Sequence, residues 1–148
     1  MYKKILAPLD GSELAECTLS HVEAVATGCH FPEVVLLRVV EPFHQLPEVS
    51  EDLVKKAMEG ALENAKGYLS QIADRLRKKG ITANTVVLQG QVADEILDFT
   101  KKNNIDLIVM STHGRSGIAR WTMGSVTDKI VRHSNVAVLT VSPAGCRN

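Results

Sequence analysis

No apolar run in this 148-residue chain has the length needed to cross a membrane. The N-terminus, MYKKILAPLDG, carries two lysines and then a short apolar run broken by Pro8 and Asp10. That run is also too short for a signal-peptide core, so the expected location is the cytoplasm. Net charge is missing too. Seventeen basic and seventeen acidic residues cancel and no local basic patch is evident, which argues against nucleic acid or an anionic membrane as partner. The three cysteines, Cys17, Cys29 and Cys146, are widely spaced and include no C-x-x-C pair. Reduced thiols are therefore expected, rather than a disulfide framework or a zinc site. Two phosphate-binding motifs are absent as well: there is no G-x-x-x-x-G-K-[ST], and no G-x-G-x-x-G follows an apolar run.

What is present is a globular composition, 45% hydrophobic and 23% charged, in a length that fits one domain spanning residues 1–148. Residues 4–9, KILAPL, read as a short strand ending at the turn and cap formers Asp10-Gly11-Ser12. Ser12 can cap a helix with Ala15, Leu19, Val22 and Ala26 on one face, closed by Gly28 and Pro32. EVVLLRVV, 33–40, is nearly continuous and β-branched, as expected of a strand buried on both faces. After a loop with two prolines, a helical pattern runs from Ser50 or Glu51 to Lys79, with apolar positions from Leu53 to Leu76 at three- and four-residue spacing. Gly60 and Gly67 weaken that helix by about 1 kcal/mol each relative to alanine, and Gly80 ends it.

TANTVVL, 82–88, is the most polar strand candidate and suits a sheet edge. Gly90 leads into a helix that turns Val92, Ala93, Ile96 and Leu97 inward. IDLIVMS, 105–111, is another buried strand, followed by a helix from about Ser125 to His133 and the strand VAVLTV, 136–141. Five strands alternating with four helices imply right-handed βαβ units and a doubly wound α/β parallel sheet covered on both faces. Strand order does not follow from these patterns.

Ligands of open α/β sheets bind outside the carboxyl ends of the strands, where strand order reverses. Candidate site residues therefore sit just after strands: at Pro8–Ser12, at Val39-Val40-Glu41, and in MSTHGRSGIARWTMGS, 110–125. In the last stretch Gly114 and Gly117 can turn backbone amides toward an anion. Gly124-Ser125 opens a helix, whose free N–H groups and positive dipole end favour phosphate. Arg115 and Arg120 add charge. The same residues also fit a plain connection, with two turn glycines and Ser125 as an N-cap paired with Asp128. Asp10 equally fits the first position of an Asp-Gly-Ser turn, His113 suits a turn-stabilising hydrogen bond better than a metal, and Val39 and Met110 fit ordinary core positions at strand ends. Spacing leaves both readings open.

The chain resembles the universal stress protein family along essentially its whole length. The resemblance is carried by YKKILAPLDGSELAE, by G-x-x-A-x-x-I at Gly90–Ile96, by DLIVMSTHGRSG and by GSVTDKIVRHSNVAVLTV. The nucleotide-binding branch of that family carries G-x-x-G, nine residues, then G-[ST]. Gly114 and Gly124-Ser125 match this spacing, while Ser111 stands at the first glycine. If that position needs glycine torsion angles, serine is costly there; if only its backbone amide or carbonyl meets the ligand, serine serves.

The resemblance implies a five-stranded parallel sheet of order 3-2-1-4-5 and an ATP site, with or without Mg²⁺. Its residues would be Pro8, Asp10, Val39, Met110, Ser111, His113, Gly114, Arg115, Gly124, Ser125 and Val126. Pro8, Val39 and Met110 would line adenine and Asp10 would hydrogen-bond the ribose. Gly114, Gly124, Ser125 and Val126 would hold phosphates, chiefly through backbone N–H groups. It also implies a homodimer through strand 136–141, whose apolar edge would otherwise invite pairing with another chain. With no Walker lysine, and no carboxylate but Asp10 placed by motif near the phosphates, any hydrolysis should be slow and no catalytic residue is assigned. A dimeric interaction module of the same family without ATP is the alternative.

Overall fold

The computed structural model describes residues 1–30, 32–43, 48–113 and 123–142. Within them strands and helices alternate as β1 (Lys4–Pro8), α1 (Glu13–Gly28), β2 (Glu33–Val40), α2 (Glu51–Lys78) and β3 (Ala83–Gln89). They continue as α3 (Val92–Lys102), β4 (Leu107–Ser111), α4 (Ser125–His133) and β5 (Ala137–Val141). The strands form one sheet in the order β3-β2-β1-β4-β5, every neighbouring pair parallel. This is the doubly wound α/β architecture expected, with the polar β3 at one edge and β5 at the other.

Strand alternation divides the core into two layers. Ile5, Ala7, Val34, Leu36, Leu107 and Val109 pack under α1 and α2. Leu6, Val35, Leu37, Val39, Ile108 and Met110 pack under α3 and α4. The central strands are buried on both sides, which is why their sequences are apolar runs rather than alternating ones. Truncating a fully buried side chain such as Leu6 or Ile108 to alanine should cost about 2–5 kcal/mol.

Ser12 is the N-cap expected, accepting from the N–H of Ala15, and of the two starts open for α2 Ser50 is its N-cap, accepting from the N–H of Leu53. α2 differs from its periodic pattern. The apolar stripe begins at Leu53, yet the fully buried residues start only at Ala65 and continue through Leu69, Ile72, Ala73 and Leu76. Leu53 is 58% exposed. The reason is length. The helix has 28 residues, about 42 Å at 1.5 Å per residue. The eight residues of β2 span only about 26 Å. Running antiparallel to β2, α2 therefore projects beyond the carboxyl edge of the sheet and walls the space above it.

The thiols also depart from expectation. Cys29 is free, but Cys17 is disulfide-bonded, so the chain does not hold only reduced cysteines.

Candidate functional site

Strand order reverses between β1 and β4, so the chain leaves β1 toward one face of the sheet and β4 toward the other. The diverging connections open a crevice at the carboxyl edge, as the general rule for such sheets requires. It measures about 860 Å³ and brings together the ends of β1, β2 and β4, the start of α4 and the projecting part of α2.

On the β1 side, Asp10 forms the Asp-Gly-Ser turn. Its Oδ1 accepts from the Ser12 backbone N–H at 2.9 Å and from the Ser12 hydroxyl at 2.6 Å. Ser12 Oγ in turn accepts from Ala15 N at 3.1 Å, which couples the carboxylate to the start of α1. Gly11 takes φ 83°, a left-handed conformation that glycine supplies without steric cost. The turn and the crevice are not alternatives for Asp10, because the residue does the first and lines the second.

On the β4 side, Ser111 is the last strand residue and only 8% exposed. The described non-glycine residues with positive φ are His30 and Asn104, so Ser111 needs no glycine torsion angles. Its hydroxyl donates to the His113 carbonyl at 2.8 Å, and its own carbonyl accepts from Thr127 Oγ1 at 2.9 Å. His113 Nδ1 lies 3.0 Å from Thr112 Oγ1, a turn hydrogen bond of the kind expected. Gly124 N donates to the Thr112 carbonyl at 2.8 Å. The end of β4 and the start of α4 are thus clasped by two hydrogen bonds.

The start of α4 corrects one alternative. Gly124, not Ser125, is the N-cap, and Ser125 is the first helical residue. Gly124 has no side chain with which to accept from the first-turn N–H groups. Those groups and the positive end of the helix dipole open on the crevice, which Gly124, Ser125, Val126 and Thr127 line. Space there is tight as well. A Cβ at Gly124 would sit 3.1 Å from the Thr112 carbonyl oxygen.

Val39 and Met110 belong to the core layer under α3 and α4, with Val126 packed against it. Pro8 follows Leu6 by two residues on β1 and so faces the same way. All four line the crevice, forming an apolar wall beside Asp10 and the α4 terminus. Gly114 and Arg115 lie outside the described residues, as do Gly117, Arg120 and Trp121.

Sequence reasoning missed the opposite wall. Arg38, on the α1/α2 side of β2, is half-buried and donates from Nη1 to the Leu9 carbonyl at 3.4 Å. Ala61, Asn64, Ala65 and Tyr68 of α2 complete it. Burial, with the Glu16 carboxylate next, pushes the Tyr68 phenol up and keeps it protonated as a donor. A charged residue inside EVVLLRVV was the one visible signal. The α2 residues gave none, since they continue the stripe that packs the core.

Residues 1–142 match the Universal stress protein family. Universal stress protein MJ0577 of Methanocaldococcus jannaschii is 32% identical over 155 residues, covering 95% of each chain. A solved structure of MJ0577 superposes with a TM-score of 0.85 at 33% identity over 96% of both chains. The fold is shared by a universal stress protein solved in complex with cAMP (TM-score 0.71, 19% identity, 95% and 97% covered). It is shared too by a family member from Arabidopsis thaliana solved with AMP bound (TM-score 0.64, 16% identity, 95% and 91% covered). By sequence along its length and by strand order, this chain belongs to the universal stress protein family.

Proposed function

We propose that the protein binds an adenine nucleotide, ATP with or without Mg²⁺, in the crevice at the carboxyl edge of the sheet. The observation that carries this reading is the α4 N-terminus, side-chain-free at Gly124 and facing the crevice that Asp10 also lines. Bare first-turn N–H groups at a positive helix end suit phosphate. The neighbouring apolar wall of Pro8, Val39 and Met110 suits a purine, and Asp10 accepts from the ribose. Ser111 and His113 hold the β4 side, and Ser125 and Val126 add backbone donors. Gly114 and Arg115 complete the phosphate loop in this reading. The AMP- and cAMP-bound relatives give it support by analogy of fold. The torsional cost at Ser111 that would favour a module without nucleotide does not arise.

Nucleotide occupancy then acts as a switch on partner contacts rather than as a step in rapid turnover. The site has no Walker lysine to stabilise a transferring phosphoryl group. The protein works as a single-domain cytoplasmic homodimer. β5 is the edge strand, its Leu139 is 37% exposed and Val131 of α4 is also exposed, so antiparallel pairing with a second copy would cover them. Calorimetric titration of the purified protein with ATP, with and without Mg²⁺, tests the reading. Saturable binding is expected, and no binding at millimolar nucleotide ends it. Light scattering should give a dimer at micromolar concentration; a monomer refutes the β5 pairing.

A further inference from the structure

In a nucleotide the sugar joins the base to the phosphates. With a purine on the apolar wall and phosphates at the start of α4, the sugar lies near the ends of β1 and β4, which are neighbouring strands. Asp10 follows β1 and Ser111 is the last residue of β4. Both line the crevice. Which sugar fits there depends on the direction in which their hydrogen bonds run.

Ser111 Oγ stands 2.8 Å from the His113 carbonyl oxygen. A carbonyl can only accept, so the single hydroxyl proton is committed to it, and toward a ligand Oγ offers lone pairs alone. Asp10 is an acceptor for a simpler reason, since a carboxylate has no proton to give. Bonds from the Ser12 N–H at 2.9 Å and the Ser12 hydroxyl at 2.6 Å hold that carboxylate in place. Thr127 commits its proton as Ser111 does, to the Ser111 carbonyl, but it is more enclosed, at 3% exposure against 8%. Two side-chain acceptors from neighbouring strands are matched by two adjacent donors on the ligand. The vicinal 2′- and 3′-hydroxyls of ribose are such a pair; a deoxyribose supplies only one of them.

We infer that the crevice selects ribonucleotides over deoxyribonucleotides, and that the Ser111 hydroxyl determines part of this specificity by accepting from one ribose hydroxyl while Asp10 accepts from the other. The inference rests on the nucleotide reading and deepens it. Calorimetric titration of wild type and Ser111→Ala with ATP, 2′-deoxy-ATP and 3′-deoxy-ATP tests it. Wild type should bind both analogues more weakly than ATP. The analogue that lacks the hydroxyl held by Ser111 should lose about two- to tenfold, one neutral hydrogen bond, and the one that lacks the hydroxyl held by Asp10 about ten- to a hundredfold, a bond to a charged group. In Ser111→Ala the preference for ATP over the first analogue should disappear, while the larger preference over the second remains.

The ratio of affinities separates this role from a structural one. Losing the bond to the His113 carbonyl alone would shift all three nucleotides together and leave both ratios unchanged. A Ser111→Ala variant with both wild-type ratios, or one that binds none of the three, therefore overturns the inference. So does a wild-type protein that binds ATP no tighter than either analogue; the nucleotide reading then stands and the selection fails alone. Absence of binding by all three to wild type ends the nucleotide reading and the inference with it.

Discussion

Replacing Gly124 by alanine adds one carbon at the point where β4 and α4 are clasped. The backbone at φ −59° and ψ 150° is open to any L-residue, so no torsional cost arises. The cost is steric. The new Cβ would lie 3.1 Å from the Thr112 carbonyl oxygen and 3.6 Å from His113 Cα. That oxygen already accepts from Gly124 N at 2.8 Å, so it cannot retreat without stretching the bond that closes the clasp. A shift of a few tenths of an ångström belongs at the low end of overpacking, about 1–2 kcal/mol. Alanine as N-cap adds a few tenths more, while the reduced freedom of the unfolded chain returns about 0.4–1 kcal/mol. The net expectation is a loss of about 1 kcal/mol, or about 2–4 °C in Tm for a chain of this size. The effect on ATP should be larger. The same shift displaces the first N–H groups of α4, and losing one charge-assisted hydrogen bond of about 1.5–3 kcal/mol corresponds to a Kd raised ten- to a hundredfold. Urea denaturation and ATP titration of Gly124→Ala and Gly124→Val measure the two effects separately. An alanine variant with wild-type stability and wild-type affinity would refute both the close approach and the phosphate assignment.

Other expectations follow from the same geometry. Thr127→Val keeps the shape of a buried side chain but removes the hydroxyl bonded to the Ser111 carbonyl. It should lower stability by about 1–2 kcal/mol in urea titrations, and Thr127→Ser should recover most of that loss. Gly67→Ala, where a Cβ meets nothing within 4 Å, should raise the urea midpoint by about 0.5–1 kcal/mol of stability; no gain would mean the α2 backbone there is not helical. Tyr68 has a folded pKa raised above its unfolded value near 10, so its contribution is complete below pH 10 and lost as pH rises beyond it. Urea midpoints at rising pH should therefore fall more steeply above pH 10 for wild type than for Tyr68→Phe, and parallel curves would contradict the buried phenol.

The βαβ alternation was legible because strands buried on both faces leave continuous apolar runs such as Val34–Leu37 and Leu107–Met110. Ser12, Ser50 and Gly80 marked their helix ends for local reasons that sequence alone carries. Strand order was not legible, since it depends on pairing between distant segments; only family resemblance supplied it. The extent of α2 burial failed for a related reason. Periodicity reports which face of a helix is apolar, but not where the sheet beneath it stops. Asp10, Ser111 and the α4 start line the crevice at the strand ends, where the rule for open α/β sheets led the sequence reading to look. Arg38 carried a local signal as the one charge inside an apolar strand, whereas Tyr68 joins the crevice through the packing of α2 beside β2, which no local pattern encodes. The shift of the α4 cap from Ser125 to Gly124 is one residue, yet it separates a side-chain-capped helix from one whose first N–H groups meet the crevice.

The central claim is that the phosphates of an adenine nucleotide sit at the N-terminus of α4. Backbone amide shifts recorded during an ATP titration test it residue by residue. The account predicts the largest changes at Gly124, Ser125 and Val126, with further changes at Asp10 and Ser111–His113. β3, at the far edge of the sheet, should stay still. Saturable shifts confined to other residues, with the α4 amides unmoved, would contradict it.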